Sequence, residues 1–501
     1  MRVVIVLGRC SIRSAVIRGV EAIPVDVEVS VSSGSIPAFN IVGMVDAAVQ
    51  ESRARVKAAI RASGYTMPRD HILVSLAPSS IKKSGSGFDL PIAVGVLMAS
   101  GQLDPELSRD LLFVGELSLD GTVRQVSGLL AYALCARDYG LALVCSDESE
   151  GLVSVDGLRQ FGLQSIGSLR EPAFTSFEGR YANAADSPLD YKDVAGNDLA
   201  KRALQIAAAG KHGLLMMGPP GSGKTMLASR MPSILPPLDE EEMLKTALIH
   251  SVAGEDVSRI LAGNRPFRAP HHSASAAGLI GGGSPIRPGE ISLAHNGVLF
   301  LDELAEFKPS VLQQMRQPVE SGYVSITRAD GNIVFPADFI LVGATNPCPC
   351  GYYGDSSREC TCSVKKVRDY QNRIGGPLMD RIDLHIDVNR VPPETVLATG
   401  GGTSSESLRE GVIKAREFSS WRREQEEHDM TTQGIIRSCR LSSEDVDFFE
   451  HAACANNMSG RAIVRVLSVA RTIADMDERM VVRKSDLYEA LAFRLREGMG
   501  S

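Results

Sequence analysis

The sequence is poor in aromatics: Phe, Trp and Tyr make up 5% of 501 residues, and Trp occurs once. It has no apolar run near the roughly 18 residues that span a bilayer, so no membrane partner is expected. The apolar start, Met1 to Leu7, is cut off by Arg9. That is too short for the core of an export signal, no cleavage signature follows, and it reads as a first strand of a cytoplasmic protein. Charge of one sign is also scarce. A net charge of −7 excludes a surface coated in base, but it leaves room for a basic channel inside an acidic ring. There is no even cysteine framework and no internal repeat. Of nine cysteines, Cys10, Cys135, Cys145, Cys439 and Cys454 are scattered and read as reduced core thiols, while four others cluster.

What is present is ordinary for a globular chain, 44% apolar and 23% charged, and long enough for about two to four cores. Over 1–172 short β-rich runs (25–34, 71–78) alternate with helical runs (47–64, 90–101), and 111–125 reads as a hairpin turning at Asp120-Gly121. This is a mixed α+β domain. Residues 173–190 lose all periodicity and read as a linker. From Tyr191 to 390 a helix (197–209), a strand (213–217), a Gly-rich loop and a helix (224–231) set the rhythm of an α/β nucleotide-binding domain. After the surface loop 398–407, the remainder of 391–501 is helical, with Ser407, Ser442, Ser459 and Ser485 as expected caps.

Gly218-Pro219-Pro220-Gly221-Ser222-Gly223-Lys224-Thr225 fits G-x-x-x-x-G-K-[ST], follows the apolar strand LLMM and opens a helix. That context marks a P-loop whose backbone N–H groups and helix terminus take the phosphates of ATP. Lys224 is expected on the β- and γ-phosphates, and the Thr225 hydroxyl on Mg²⁺. The buried strand Val298–Leu301 ends in Asp302 and Glu303, at the strand end where ligands of open α/β sheets bind. Asp302 is expected to hold Mg²⁺, and Glu303 to polarise the attacking water. The strand of 338–346 ends in Asn346. It reads equally as an amide orienting that water and as a turn former before Pro347.

The segments GPPGSGKTMLASRMPSILP, RPFRAPHHSAS, ISLAHNGVLFLDELAEF, ATNPCPCGYYG and GPLMDRIDLHIDV, with FNIVGMVDAAVQESRARVKAAI and GFDLPIAVGVL upstream, resemble the ComM/YifB family of magnesium-chelatase-like AAA+ ATPases over almost the whole chain. The resemblance implies a ring, hexameric in the family, and a DNA translocase acting in branch migration during uptake or recombination. It implies a multidomain α/β chain: an N-terminal α+β Lon-protease-like (ribosomal S5-like) domain, a central AAA+ P-loop domain and a C-terminal α-helical lid. It places Lys224 and Thr225 in Walker A, Asp302 and Glu303 in Walker B, and Asn346 as sensor 1. Arg381 matches the arginine finger, with Arg373 a competitor, and Arg461 matches the sensor 2 arginine. Both roles suit a planar, permanently charged guanidinium. In the N-terminal domain Gly87 and Leu130 stand where an active Lon-type peptidase has its serine and lysine, and neither Ser86 nor Lys83 fits the pattern. A non-proteolytic scaffold follows.

Cys348, Cys350, Cys360 and Cys362 form two C-x-C pairs in an insert at 346–364. Four thiolates so placed suit a tetrahedral Zn²⁺ site, with free thiols or a redox pair as the alternatives. The insert is expected to project from the motor, toward DNA or a neighbouring subunit. His271-His272 reads as a pair fixing its loop. Arg328 lies near the tip of a hairpin turning at Asp330-Gly331, where it reads equally as a phosphate contact and as a solvated end. Two other functions share these motifs: a magnesium-chelatase motor metallating a porphyrin, and an ATP-dependent protease or unfoldase. The missing dyad disfavours the protease.

Overall fold

The computed structural model describes residues 5–33, 36–148, 155, 157–170, 174–176, 189–283, 285–328, 331–355, 358–397, 402–425 and 431–494. Ile5–Arg18 and Glu21–Ser33 form a long antiparallel ribbon, turned by Gly19 at φ 70°, a left-handed conformation that only glycine adopts cheaply. The ribbon is the centre of an eight-stranded sheet. Across that sheet lie Thr175–Ser176, Gln160–Leu163, Ala142–Ser146, Leu111–Phe113, the two ribbon strands, His71–Ala77 and Ala38–Val42. The helix Asp89–Ala99 is buried at every residue: Asp89 takes two hydrogen bonds from Arg55, at 2.6 and 3.0 Å, and the rest is apolar all round, as a helix without a polar face must be when buried.

The expected hairpin over 111–125 is only partly formed. Leu111–Phe113 joins the large sheet, parallel to Ala142–Ser146. A ribbon of Glu116–Leu117 with Val123–Arg124 carries the Asp120-Gly121 turn. The run LLF is buried on both faces, which suits an interior parallel strand. The linker expected over 173–190 falls mostly outside the described residues. Its Thr175–Ser176 pairs with Gln160–Leu163, and its Asp190 accepts the Ser405 N–H at 2.8 Å.

The second sheet has five parallel strands, in the order Phe267–Arg268, Val298–Leu301, Ile340–Thr345, Leu214–Met217 and Leu384–Asp387. The middle three are buried throughout, so their unbroken apolar runs face covering layers on both sides. Five helices follow: Ser405–Gln425, Thr432–Cys439, Ser443–Ala455, Gly460–Met476 and Lys484–Ala492. Ser442 and Ser459 cap theirs. Ser407 instead lies inside the first, which begins at Ser405. Ser485 yields to Asp486, whose carboxylate takes the Arg483 N–H at 2.8 Å. These helices share one apolar core with the helix Asp198–Gly210 of the second sheet. Inside it Asp475 takes two hydrogen bonds from Arg422, both at 3.0 Å, and an ion pair to Arg471 at 3.1 Å. A buried carboxylate needs that company. Among the described residues no helix is long and apolar enough to cross a membrane.

The two sheets meet through the helices Leu129–Asp138 and Glu240–Ala253. Leu129, Leu130 and Tyr132 pack with Ala247, Val257 and Ile260. The Gly128 N–H donates to the Ser251 carbonyl at 2.7 Å, and the Leu130 N–H to the Ser251 hydroxyl at 3.2 Å.

One buried histidine makes stability pH-dependent. His295 Nδ1 accepts the Asp338 N–H at 3.0 Å, so that nitrogen carries no proton. Burial pushes its pKa down to about 4. The unfolded ring, near pKa 6.5, binds a proton more readily. Stability is therefore complete above about pH 6.5 and falls by about 3 kcal/mol as pH drops through 4. Chemical unfolding at about pH 7 and about pH 4.5 checks this, with His295→Gln expected to lose less stability on acidification.

Candidate functional site

The P-loop turns where two glycines allow it. Gly221 and Gly223 sit at φ 78° and 92°, left-handed values that aim successive N–H groups into one hollow. Gly218 has no room for a side chain, since a Cβ would fall 2.1 Å from the Val388 carbonyl. The loop is pinned on both sides, by Gly218 N–H to Thr345 O at 3.2 Å and Val388 N–H to Met217 O at 2.7 Å.

Lys224 begins the helix Lys224–Ser229 and is only 8% exposed. Its Nζ donates to Gly218 O at 2.8 Å and Pro219 O at 3.0 Å, and lies 3.5 Å from Asn346 Oδ1. Burial lowers its pKa, and Asp302 opposes the shift. The Thr225 hydroxyl donates to Asp302 Oδ2 at 2.7 Å, and Asp302 Oδ1 takes the Glu303 N–H at 2.9 Å. An alcohol and a carboxylate side by side are hard oxygen donors of the kind Mg²⁺ takes. Glu303 holds a left-handed backbone, φ 52°, a strain of about 1–3 kcal/mol that active sites tolerate to aim a side chain.

Glu303 also has a partner the sequence did not reveal. His272 Nδ1 lies 3.0 Å from Glu303 Oε2, and the two rings of His271 and His272 sit 4.1 Å apart. The pair fixes its loop, as expected, but His272 does so against the carboxylate that ends the Val298–Leu301 strand. The contact spans 31 positions, too far for a local pattern to signal.

Lys224, Thr225, Asp302, Glu303 and Asn346 thus gather at one end of the parallel sheet. Arg381 and Arg461 do not join them. Arg381 precedes the edge strand at its opposite end: Asp383 and Leu384 both donate to Gly213 O at 3.0 Å. That is roughly 16 Å along the strand from Gly218. Arg381 Nη2 pairs with Glu320 Oε1 at 2.6 Å, and its guanidinium, with help from Arg461 and Arg465, holds the Glu320 carboxyl below its usual range. Arg461, exposed, starts the helix Gly460–Met476. Arg465, one turn on, pairs with Asp383 and was not singled out from the sequence. Arg373 lies elsewhere, 3.5 Å from Glu306 beyond the Asp302-Glu303 strand.

Ser86 and Lys83 of the first unit do not pair with each other. Ser86 donates to Glu116 and Lys83 to the Pro78 carbonyl. Leu130 is buried against the second unit. The side chain of Arg328, and Asp330, lie outside the described residues.

The four clustered cysteines converge. All four sulfurs lie within 4.8 Å of one another, with spacings of 3.3, 3.6 and 3.7 Å among Cys348, Cys350 and Cys360. A Zn–S bond near 2.3 Å gives a tetrahedral edge of about 3.8 Å, so the sulfurs stand almost where that ion requires them. The insert is anchored at its start, while Tyr353, Gly354, Arg358 and Glu359 stay exposed. Cys348 is fully buried and Gly351 lies against Pro220 of the P-loop, because Cys348 follows directly from the buried strand that ends at Thr345.

Comparison with known proteins accords with this architecture. The family model for magnesium chelatase, subunit ChlI, matches residues 190–396. Those for subunit ChlI of Mg-chelatase and for its C-terminal part match 27–148 and 402–494. The competence protein ComM of Haemophilus influenzae is 40% identical over 99% of this chain and 98% of its own. YifB of Escherichia coli is 40% identical over 95% of each. The magnesium-chelatase 67 kDa subunit of Chlorobaculum parvum is 27% identical over 54% of this chain and 40% of its own.

Proposed function

From the premise that the chain belongs to the ComM/YifB family of magnesium-chelatase-like AAA+ ATPases, we propose that it is a ring-forming motor, hydrolysing ATP to move along branched or duplex DNA. The observation that carries this is the split of the site between the two ends of one sheet. Lys224, Thr225, Asp302, Glu303 and Asn346 share one end; Arg381 and Arg461 share the other. Arginines placed there meet a phosphate only on a neighbouring chain, and a repeated head-to-tail contact closes into a ring. A hexamer is the size the family resemblance implies.

In this reading Lys224 grips the β- and γ-phosphates, Glu303 polarises water and Asn346 orients it. Arg381 acts as the finger and Arg461 as sensor 2 toward the adjoining subunit. Mg²⁺, held by Thr225 and Asp302, neutralises phosphate charge when bound. The divisions at 172, 190 and 390 separate a Lon-like scaffold, a linker, the ATPase core and the lid. The scaffold is non-proteolytic: the position expected to hold a catalytic lysine is Leu130, sealed against the motor. The four cysteines hold Zn²⁺. Action on DNA accords with the competence named for the Haemophilus influenzae relative, and a place in the cytoplasm belongs to the same reading.

The test compares phosphate release with forked DNA, four-way junctions, unfolded protein and porphyrin. Stimulation by branched DNA of about 10-fold or more, a barrier change of about 1.4 kcal/mol, is expected. Stimulation by porphyrin alone transfers the protein to the chelatase reading.

A further inference from the structure

The cysteine loop touches the phosphate-binding loop directly at one place and is joined to it through Arg390 at another, and the motor reading uses neither contact. Gly351, between the two C-x-C pairs, lies against Pro220. A Cβ there would fall 2.6 Å from Pro220 Cδ and 2.8 Å from Cγ, and its φ of 85° excludes most side chains as well. Arg390, beyond the edge strand Leu384–Asp387, donates from Nη2 to the Pro220 carbonyl at 3.2 Å. The same guanidinium sits 5.5 Å from the centre of the Tyr352 ring and 3.9 Å from Asp355 Oδ2, a side chain only 4% exposed. At the other end, Cys348 is two residues past Asn346, and Gln371 Nε2 holds the intervening Pro347 carbonyl at 3.0 Å.

We propose that the metal-bearing cysteine loop braces the P-loop, and that Arg390 is the positioning residue joining them. The inference rests on the Zn²⁺ reading above. The described part of the loop has no helix or strand between Thr345 and Val364 and buries little besides Pro347, Cys348, Gly351 and the Asp355 side chain. It lacks a core of its own, so metal supplies the order that side-chain packing does not. Once ordered, it presents Gly351 as a flat stop behind Pro220, while Arg390 fixes the carbonyl of that residue. Pro220 directly precedes Gly221, Ser222 and Gly223, the segment of the loop that takes the phosphates in the motor reading. Holding its carbonyl outward keeps the following N–H groups turned inward. The metal and the nucleotide therefore order the same segment, and each strengthens the binding of the other by one common factor.

The experiment uses the full chain with its zinc. Zinc affinity is measured by chelator competition with and without a non-hydrolysable ATP analogue and Mg²⁺. Analogue affinity is measured with and without zinc. One zinc per chain is expected, and the analogue tightens zinc about 5-fold or more, with zinc tightening the analogue by the same factor. Arg390→Ala, a change at a half-exposed position that leaves every cysteine in place, keeps its zinc and its melting temperature but brings the factor close to one. Arg390→Lys, which retains a donor for the Pro220 carbonyl, recovers part of it. Stoichiometric zinc whose affinity ignores the analogue overturns the brace and leaves the zinc reading standing. A chain that binds no zinc overturns that reading, and the brace with it. A full coupling factor in Arg390→Ala removes Arg390 from the role.

Discussion

Lys224→Ala is expected to lower ATP turnover by at least about 10²–10³-fold, a loss of roughly 3–4 kcal/mol in transition-state stabilisation. The lysine amine stands inside the P-loop hollow, held by two carbonyls at 2.8 and 3.0 Å and 3.5 Å from Asn346. Its burial leaves little water to screen a charge there, and low screening is what makes a cation beside phosphate effective. The same burial makes the loss hard to replace, because alanine opens a hollow without bringing in another donor. Phosphate release with Mg²⁺ and branched DNA measures the effect. The melting temperature should stay close to that of the wild type, since the loop is held by the Gly218 and Val388 backbone bonds. Turnover near the wild-type rate in a folded, assembled variant would remove Lys224 from the chemistry.

Arg381→Ala should cost about 10³-fold or more, as loss of an arginine finger does. Its signature is recovery by mixing. A ring of Arg381→Ala chains has intact P-loops and no fingers, whereas a ring of Lys224→Ala chains has fingers and crippled P-loops. Co-assembled, some neighbours pair an intact P-loop with an intact Arg381, and turnover rises above that of either variant alone. The reason lies in the sheet: Arg381 sits beside Gly213, at the far end of the strand that leads to Gly218, so one chain cannot supply both groups to one phosphate. Glu320, which holds Arg381 at 2.6 Å, is nearly half exposed, so water can take over its solvation and the fold should survive the substitution. Absence of recovery in rings proven to be mixed would place the finger elsewhere. Arg373, paired with Glu306 at 3.5 Å, would then be the residue to replace.

The helices, the parallel strands and the phosphate loop were legible because each is encoded over a few adjacent residues. The runs LLMM and VLFL are apolar on both faces and need a doubly covered sheet. The glycines at 221 and 223 answer to a backbone angle, not to a partner. Caps were legible where a serine faced an open helix start, at 442 and 459. They misled at 407 and 485, where a neighbouring group took the terminal N–H first. The hairpin over 111–125 was over-read because a turn signal does not say which flanking strand is claimed by a larger sheet.

Local spacing therefore determined the phosphate loop, the acids that end the Val298–Leu301 strand and the two C-x-C pairs, since each depends on backbone geometry within one loop or strand. Tertiary structure alone decided that Arg381 and Arg461 face away from their own phosphate loop, that His272 meets Glu303, and that the cysteine loop lies on Pro220 with Arg390 between them. Those relations join residues tens to hundreds of positions apart. Side-chain contacts at that range are set by how sheets and helices stack, and a periodicity measured along the chain carries no trace of it.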